Sequence, residues 1–148
     1  HMDPSARGLF FGLTLSHRRA HMTRAIMEGV VYALKDSLEI FKELDVKVDR
    51  IVARGGGAKS TLWRQIQADI FNSEVINVEV KEEAAFGAAL LAGVGAGVYR
   101  DLQEAVEEAV KVKGAKYPHP ERVEIYEHYY RNVYRRLYPL LKRYFRLL

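Results

Sequence analysis

The sequence predicts an α/β protein in which long helices pack on a short, mostly parallel sheet. Three observations carry that prediction. Two strand-like runs, VDRIVA (48–53) and EVINVEV (74–80), flank a helix-like run. Strands joined through a helix form a right-handed crossover, which makes the pair parallel. Apolar residues three and four apart mark one long helix upstream of the first strand and another at the end of the chain.

Taken in order, GLFFGLT (8–14) is bounded by glycine and reads as a short strand or hairpin arm. A helix follows from about His17 to Leu44. Met22, Ile26, Val30, Leu34, Leu38 and Phe41 give it one apolar face, with Lys35, Asp36, Glu39 and Lys42 largely off it. VDRIVA lacks polar alternation, as befits a strand covered on both faces. Three glycines then lead into a helix from about Ser60 to Asn72, with Ser60 as its cap. Beyond the second strand, EEAAFGAALLAGVGAGVY (82–99) is a helix of small residues open to close approach by another backbone, weakened and ended by Gly95 and Gly97. DLQEAVEEAV (101–110) is a short amphipathic helix capped by Asp101, and residues 111–120, with Pro118 and Pro120, read as a loop. The last helix starts near Glu121. Tyr126, Tyr130, Val133, Leu137, Leu140 and Tyr144 form a heptad seam along it, which Pro139 would kink or interrupt.

Composition narrows the function classes. The chain of 148 residues, 49% hydrophobic, has the size and apolar content of one domain with a real core. It contains no cysteine, which excludes a disulfide framework and thiolate chemistry and fits a reducing cytoplasm. No uninterrupted apolar run reaches the roughly 18–20 residues of a membrane-spanning helix, and no signal-peptide pattern stands at the start. His1 and Met2 read as an expression scar, leaving residues 3–148 as part of a longer natural protein. Net charge is +4, and residues 121–148 hold seven Lys and Arg against three Glu, so the remainder is neutral. Any case for nucleic acid or membrane therefore rests on that last segment alone. Its bland reading is a packed seam with solvated charges, basic groups being favoured at a helix C-terminus. No nucleic-acid or membrane partner is expected.

The run Gly55-Gly56-Gly57 is where chemistry concentrates. It is not a Walker A loop, because Ala58 precedes Lys59 and Ala53 occupies the first glycine position. Nor is it a dinucleotide fingerprint, because Ser60 stands where the third glycine belongs. Its physics still suits a nucleotide. Absent Cβ atoms let a flat ligand lie on the main chain. The following helix points free N–H groups and partial positive charge toward the turn. The alternative is a tight strand-to-helix turn that needs glycine only for its geometry. His17 and His21 share a helix face four residues apart, but no third metal ligand stands at a useful spacing. Asp69 and Glu28 lack sequence neighbours that would make a catalytic pair, and Trp63 reads as core or edge packing rather than a base-stacking platform.

Two stretches besides the glycine run carry a resemblance. GLFFGLTLSHRRAHMTRAIME (8–28) closely resembles the second signature of the FGGY family of carbohydrate kinases: Gly8, Phe10, Gly12 and Leu13, a seven-residue spacer, then His21, Met22, Ala25, Ile26, Met27 and Glu28. The glycine run is similar to that family's adenosine motif, and KEEAAFGAALLAGVGAGVY (81–99) to its next helix. Within the family the wording is most similar to the xylulose-kinase group. The resemblance is strong from about Asp3 to Tyr99 and looser beyond.

The resemblance implies a ribonuclease-H-like (actin-like ATPase) domain, here a truncated C-terminal portion. It implies Mg-ATP as phosphoryl donor and a sugar hydroxyl, that of a pentulose, as acceptor. Gly56 and Gly57 would pack on adenosine or the α-phosphate, Ser60 would hydrogen-bond near the adenine, and Gly55 and Ala58 would shape the loop. Lys59 is not carried over. Arg54 stands where many relatives have an acid, which reads as a subfamily difference. The family's first phosphate loop, its catalytic Asp and most sugar contacts lie in stretches outside this sequence. No catalytic residue and no metal ligand is therefore assigned in this chain. It is expected to be inactive alone, to need an N-terminal catalytic domain as partner, and to meet the sugar only in the full enzyme. Apolar surface left by truncation makes a homodimer an expectation as well. The rival reading is a non-enzymatic interaction module that reuses the fold and binds a partner through the basic last helix.

Overall fold

The structure is a computed structural model describing residues 3–79 and 83–147. The readings placed on His1 and Met2, on Val80 as the end of a strand, and on Lys81 and Glu82 as the start of a helix lie outside those residues. The described elements are α1 (Arg19–Glu43), β1 (Arg50–Val52), α2 (Gly55–Ala58), α3 (Thr61–Phe71), β2 (Glu74–Val78), α4 (Glu83–Gly95), α5 (Leu102–Ala109) and β3 (Val112–Lys116). One long C-terminal rod follows: α6 (Pro120–Tyr129), a π-helical segment (Tyr130–Tyr134) and α7 (Arg135–Phe145).

The sheet has the order β1-β2-β3. β1 and β2 run parallel, with Ile51 opposite Val75, and α3 crosses between them as the sequence predicts. β2 and β3 run antiparallel, so the sheet is mixed. β3 is a correction: VKGAK falls in the stretch read as a loop. It has neither a β-branched run nor alternation, and it is a strand because β2 offers it a free edge. Its register is Ile76 opposite Ala115, with an irregularity between Asn77 and Val78. Residues 8–14 are a second correction. They belong to no strand among the described residues, and Leu9, Phe10, Phe11 and Leu13 are exposed there.

α1 buries a different face from the one its periodicity marks. Val31, Tyr32 and Lys35 are buried, with Met27 and Leu38 packed beside them. Ile26, Val30, Leu34 and Phe41 stay about half exposed. Both stripes are apolar, so what lies opposite makes the choice. Lys35, only 3% exposed, is the clearest case. Its ammonium donates to the Ile70 carbonyl (2.8 Å), one of the unpaired carbonyls at the C-terminal end of α3. A cation is favoured at that end of a helix. Lys35 also pairs with Glu127 on α6 and lies 4.8 Å from the Tyr130 ring centre.

The opposite arrangement starts α6. Asp69, 1% exposed, accepts the backbone N–H of the capping residue His119 (2.9 Å), placing an anion at a helix N-terminus. Together these contacts lock α1, α3 and α6 around a core of Ile66, Ile70, Phe71, Val75, Tyr126 and Tyr130. The C-terminal rod is not one uniform helix. The π segment Tyr130–Tyr134 widens the rod just before α7, and Pro139 stands inside α7, where its ring and missing N–H disturb the α ladder. The seam is rephased accordingly. Tyr126, Tyr130 and Tyr134, spaced four and four, meet Tyr32 at ring separations of 6.2, 5.7 and 5.1 Å. Leu140 and Tyr144, placed on the seam by the heptad, are exposed.

Candidate functional site

β1 delivers the chain to the glycine turn. The Ala53 N–H donates to the Ile76 carbonyl (2.8 Å), carrying the parallel pairing one residue past the strand. Arg54 is extended, and Gly55 then turns with φ +73. What the sequence presents as a loop is one helical turn, Gly55–Ala58. It is closed by the Lys59 N–H on the Gly56 carbonyl (3.2 Å) and the Ser60 N–H on the Gly57 carbonyl (3.1 Å). Ser60 begins α3 as expected, its Oγ accepting the Trp63 backbone N–H at 3.2 Å. That cap uses the oxygen as acceptor and leaves the hydroxyl proton to donate. Ala58 is buried in the core, and Lys59 points to solvent.

The three glycines are glycine for different reasons. Gly55 has a left-handed backbone that other residues adopt only with strain. Gly57 lies against Trp63: a Cβ there would stand 3.0 Å from Cε3 and from Cζ3 of the indole. Gly56 has neither reason. Its φ is not positive, it is exposed, and a Cβ would meet nothing within 4 Å. In a helical turn glycine is less stable than alanine by about 0.5–1 kcal/mol. The fold alone therefore disfavours glycine at 56, while a ligand lying on the main chain would require it.

The other singled-out residues have structural partners. His17 Nδ1 accepts from the Thr14 N–H (2.9 Å) and His21 Nδ1 from the Arg18 N–H (3.1 Å), the two rings meeting edge to face. Among the described residues no group of three His, Cys, Asp or Glu side chains could hold a metal ion. Glu28 accepts from Arg24 Nε and from the Tyr126 hydroxyl, both at 2.7 Å. Burial, helped by the bond to Glu28, pushes the Tyr126 phenol up to about 12. Burial alone would raise the Asp69 carboxyl. Donors from the His119 backbone and ring, Gln65 and Arg122 outweigh it and hold the group below its ordinary value. These acids are anchors between helices. A groove of about 1520 Å³ runs between α1 and the C-terminal rod, lined by Phe11, Tyr32, Tyr129 and Tyr134. None of residues 55–60 lines it; the open side of the turn is at Gly55 and Gly56, which are exposed and where a Cβ would meet nothing within 4 Å.

Trp63 is the residue whose part at the site sequence reading underrates. The edge packing is there, but the edge it packs is Gly57. The available signal is its place three residues beyond the cap Ser60, where the first turn of α3 faces back over the glycines. Its indole Nε1 is buried without an acceptor among the described residues.

A strand, a glycine turn and a capped helix in this order occur in several α/β folds, and superposition on solved sugar kinases identifies this one as the actin-like ATPase fold. The crystal structure of xylulose kinase from Rhodospirillum rubrum superposes with a TM-score of 0.87 at 32% identity, covering 97% of this chain and 29% of that one. The ligand-bound xylulose kinase from Lactobacillus acidophilus gives 0.84 at 30% identity, covering 95% of this chain and 28% of that one. Among curated relatives, the xylulose kinase of Bacillus subtilis is 42% identical over 137 residues, which is 90% of this chain. Residues 1–96 match the C-terminal domain of the FGGY family of carbohydrate kinases, and the chain belongs to that family. It spans 28% of the length of that Bacillus relative.

Proposed function

We propose that this chain is the nucleotide-binding part of a xylulose-kinase-like sugar kinase, with adenosine lying on the open face of the turn at Gly55, Gly56, Gly57, Ala58 and Ser60. Gly56 carries the proposal, because its missing side chain serves no purpose inside the fold. Gly55 sets the turn, Gly57 seats it, Ala58 fixes it to the core, and the Ser60 hydroxyl donates toward the base. The nucleotide would reach the site as the Mg complex, whose metal disperses phosphate charge. No described cluster in this chain would coordinate that metal itself.

In the parent enzyme the γ-phosphoryl group passes to a pentulose hydroxyl, in the cytoplasm, across a cleft shared with an N-terminal catalytic domain. Phosphoryl transfer rests on positioning and on electrostatic stabilisation from both sides of the phosphate chain. Asp69 and Glu28 are committed to His119, Arg24 and Tyr126 and are not placed to act as a base. This chain by itself should therefore release no ADP in response to sugar.

The test is calorimetric titration of the chain with Mg-ADP, repeated on Gly56→Val. Saturable heat is expected from the parent sequence and none from the variant, with both equally folded by circular dichroism. Equal heats in the two would remove the nucleotide from Gly56, and no heat in either would remove it from this chain.

A further inference from the structure

We infer that Trp63 is the positioning residue of the glycine turn and senses whatever occupies it. The inference rests on the nucleotide reading above and extends it to a residue outside the glycine motif. Three observations meet at Trp63. The benzene half of its indole forms the floor under Gly57, close enough that a methyl group there would stand 3.0 Å from two ring atoms. Its backbone N–H is held by Ser60 Oγ, so one residue is tied both to the turn at Gly57 and to the cap that follows it. The ring packs at the edge of the core cluster that contains Ala58, and this makes the floor rigid.

The indole N–H sharpens the argument. Nε1 has neither solvent nor an acceptor among the described residues. A buried donor left unpaired is unfavourable, and a phenylalanine would avoid it. The unpaired donor counts against tryptophan at 63. Reach counts for it, because a single phenyl ring attached at the same point does not reproduce the edge that supports Gly57. A supported turn holds its main chain in one conformation before the nucleotide arrives, which lowers the ordering needed on binding. The open side of Gly56 and the supported side of Gly57 are then two faces of one device.

Trp63 is the only tryptophan in the chain, so its emission reports on this position alone. Mg-ADP is expected to change that emission with the same midpoint as the calorimetric titration. Trp63→Phe and Gly57→Ala should each weaken Mg-ADP about tenfold, within the range of coupling between touching residues. The double variant should recover most of the loss, because the alanine methyl occupies the space the indole edge vacates. A merely structural tryptophan would give no emission change at the calorimetric midpoint, and its rescue would appear in the melting temperature and not in Mg-ADP affinity. If Trp63→Phe fails to fold, Gly57→Ala with the emission titration decides. Saturable heat with flat emission and unchanged affinity in Trp63→Phe would overturn the role of Trp63 and leave the nucleotide reading intact. No heat from the parent sequence would overturn both.

Discussion

Replacing Gly56 by alanine is expected to stabilise the chain and weaken its hold on nucleotide. The structure gives the first half its magnitude. The position lies in a helical turn, its φ is not positive, and the added methyl meets nothing within 4 Å. Glycine to alanine in such a place stabilises by about 0.5–1 kcal/mol, chiefly by restricting the unfolded chain. For a chain of this size that is a rise in melting temperature of about 1–4 °C. The neighbouring glycines give the contrast. At Gly55 the same change forces a side chain into φ +73 and should cost about 1–2 kcal/mol. At Gly57 the methyl presses on the Trp63 ring, an overpacking of about 1–3 kcal/mol. The assay is a set of thermal melts by circular dichroism for the three single variants, each paired with a Mg-ADP titration. Only Gly56→Ala should melt above the parent while losing affinity. A lower melting temperature for Gly56→Ala would refute the claim that the fold has no use for glycine there. A higher one with undiminished affinity would refute the ligand as the reason for it.

Two further predictions concern the anchors between helices. The Asp69 carboxyl is held below its ordinary value of 3.8, so its contribution to stability is complete above that value and is lost as pH falls through the lowered folded value. Asp69→Asn should therefore be less stable than the parent at neutral pH and converge with it in acid, as denaturant melts across that range would show. Lys35→Ala leaves the Ile70 carbonyl unpaired and takes the buried cation from Glu127, which is still about one third exposed. A loss of about 2–3 kcal/mol is expected, below that of a wholly enclosed pair, and would appear as a fall in melting temperature of roughly 5–10 °C.

Much of the candidate site is legible in the sequence because its signals are local. A β-branched run, three glycines and a capping serine lie within a dozen residues, and each acts on its immediate neighbours. The crossover β1-α3-β2 and the caps at Ser60 and Asp101 follow from such signals. The glycine run is equally visible, but the distinct reasons for its three members are not. That Gly57 needs glycine depends on where the Trp63 ring lies, and that Gly56 does not depends on what is missing above it.

The sequence by itself determined the order of most elements, the strand-to-helix turn that defines the candidate site, and the family signature that goes with it. Tertiary structure alone decided which of two apolar stripes on α1 is buried, that VKGAK becomes a strand, and how the tyrosines of the last helix are phased. The physical reason is the same in each case. Lys35 is buried because the Ile70 carbonyl and Glu127 await it from elements 35 and 92 residues away. β3 exists because β2 has an edge to offer, and the π segment turns Tyr134 toward Tyr32. Periodicity records what a residue can bury, and only the partner across the core settles whether it does.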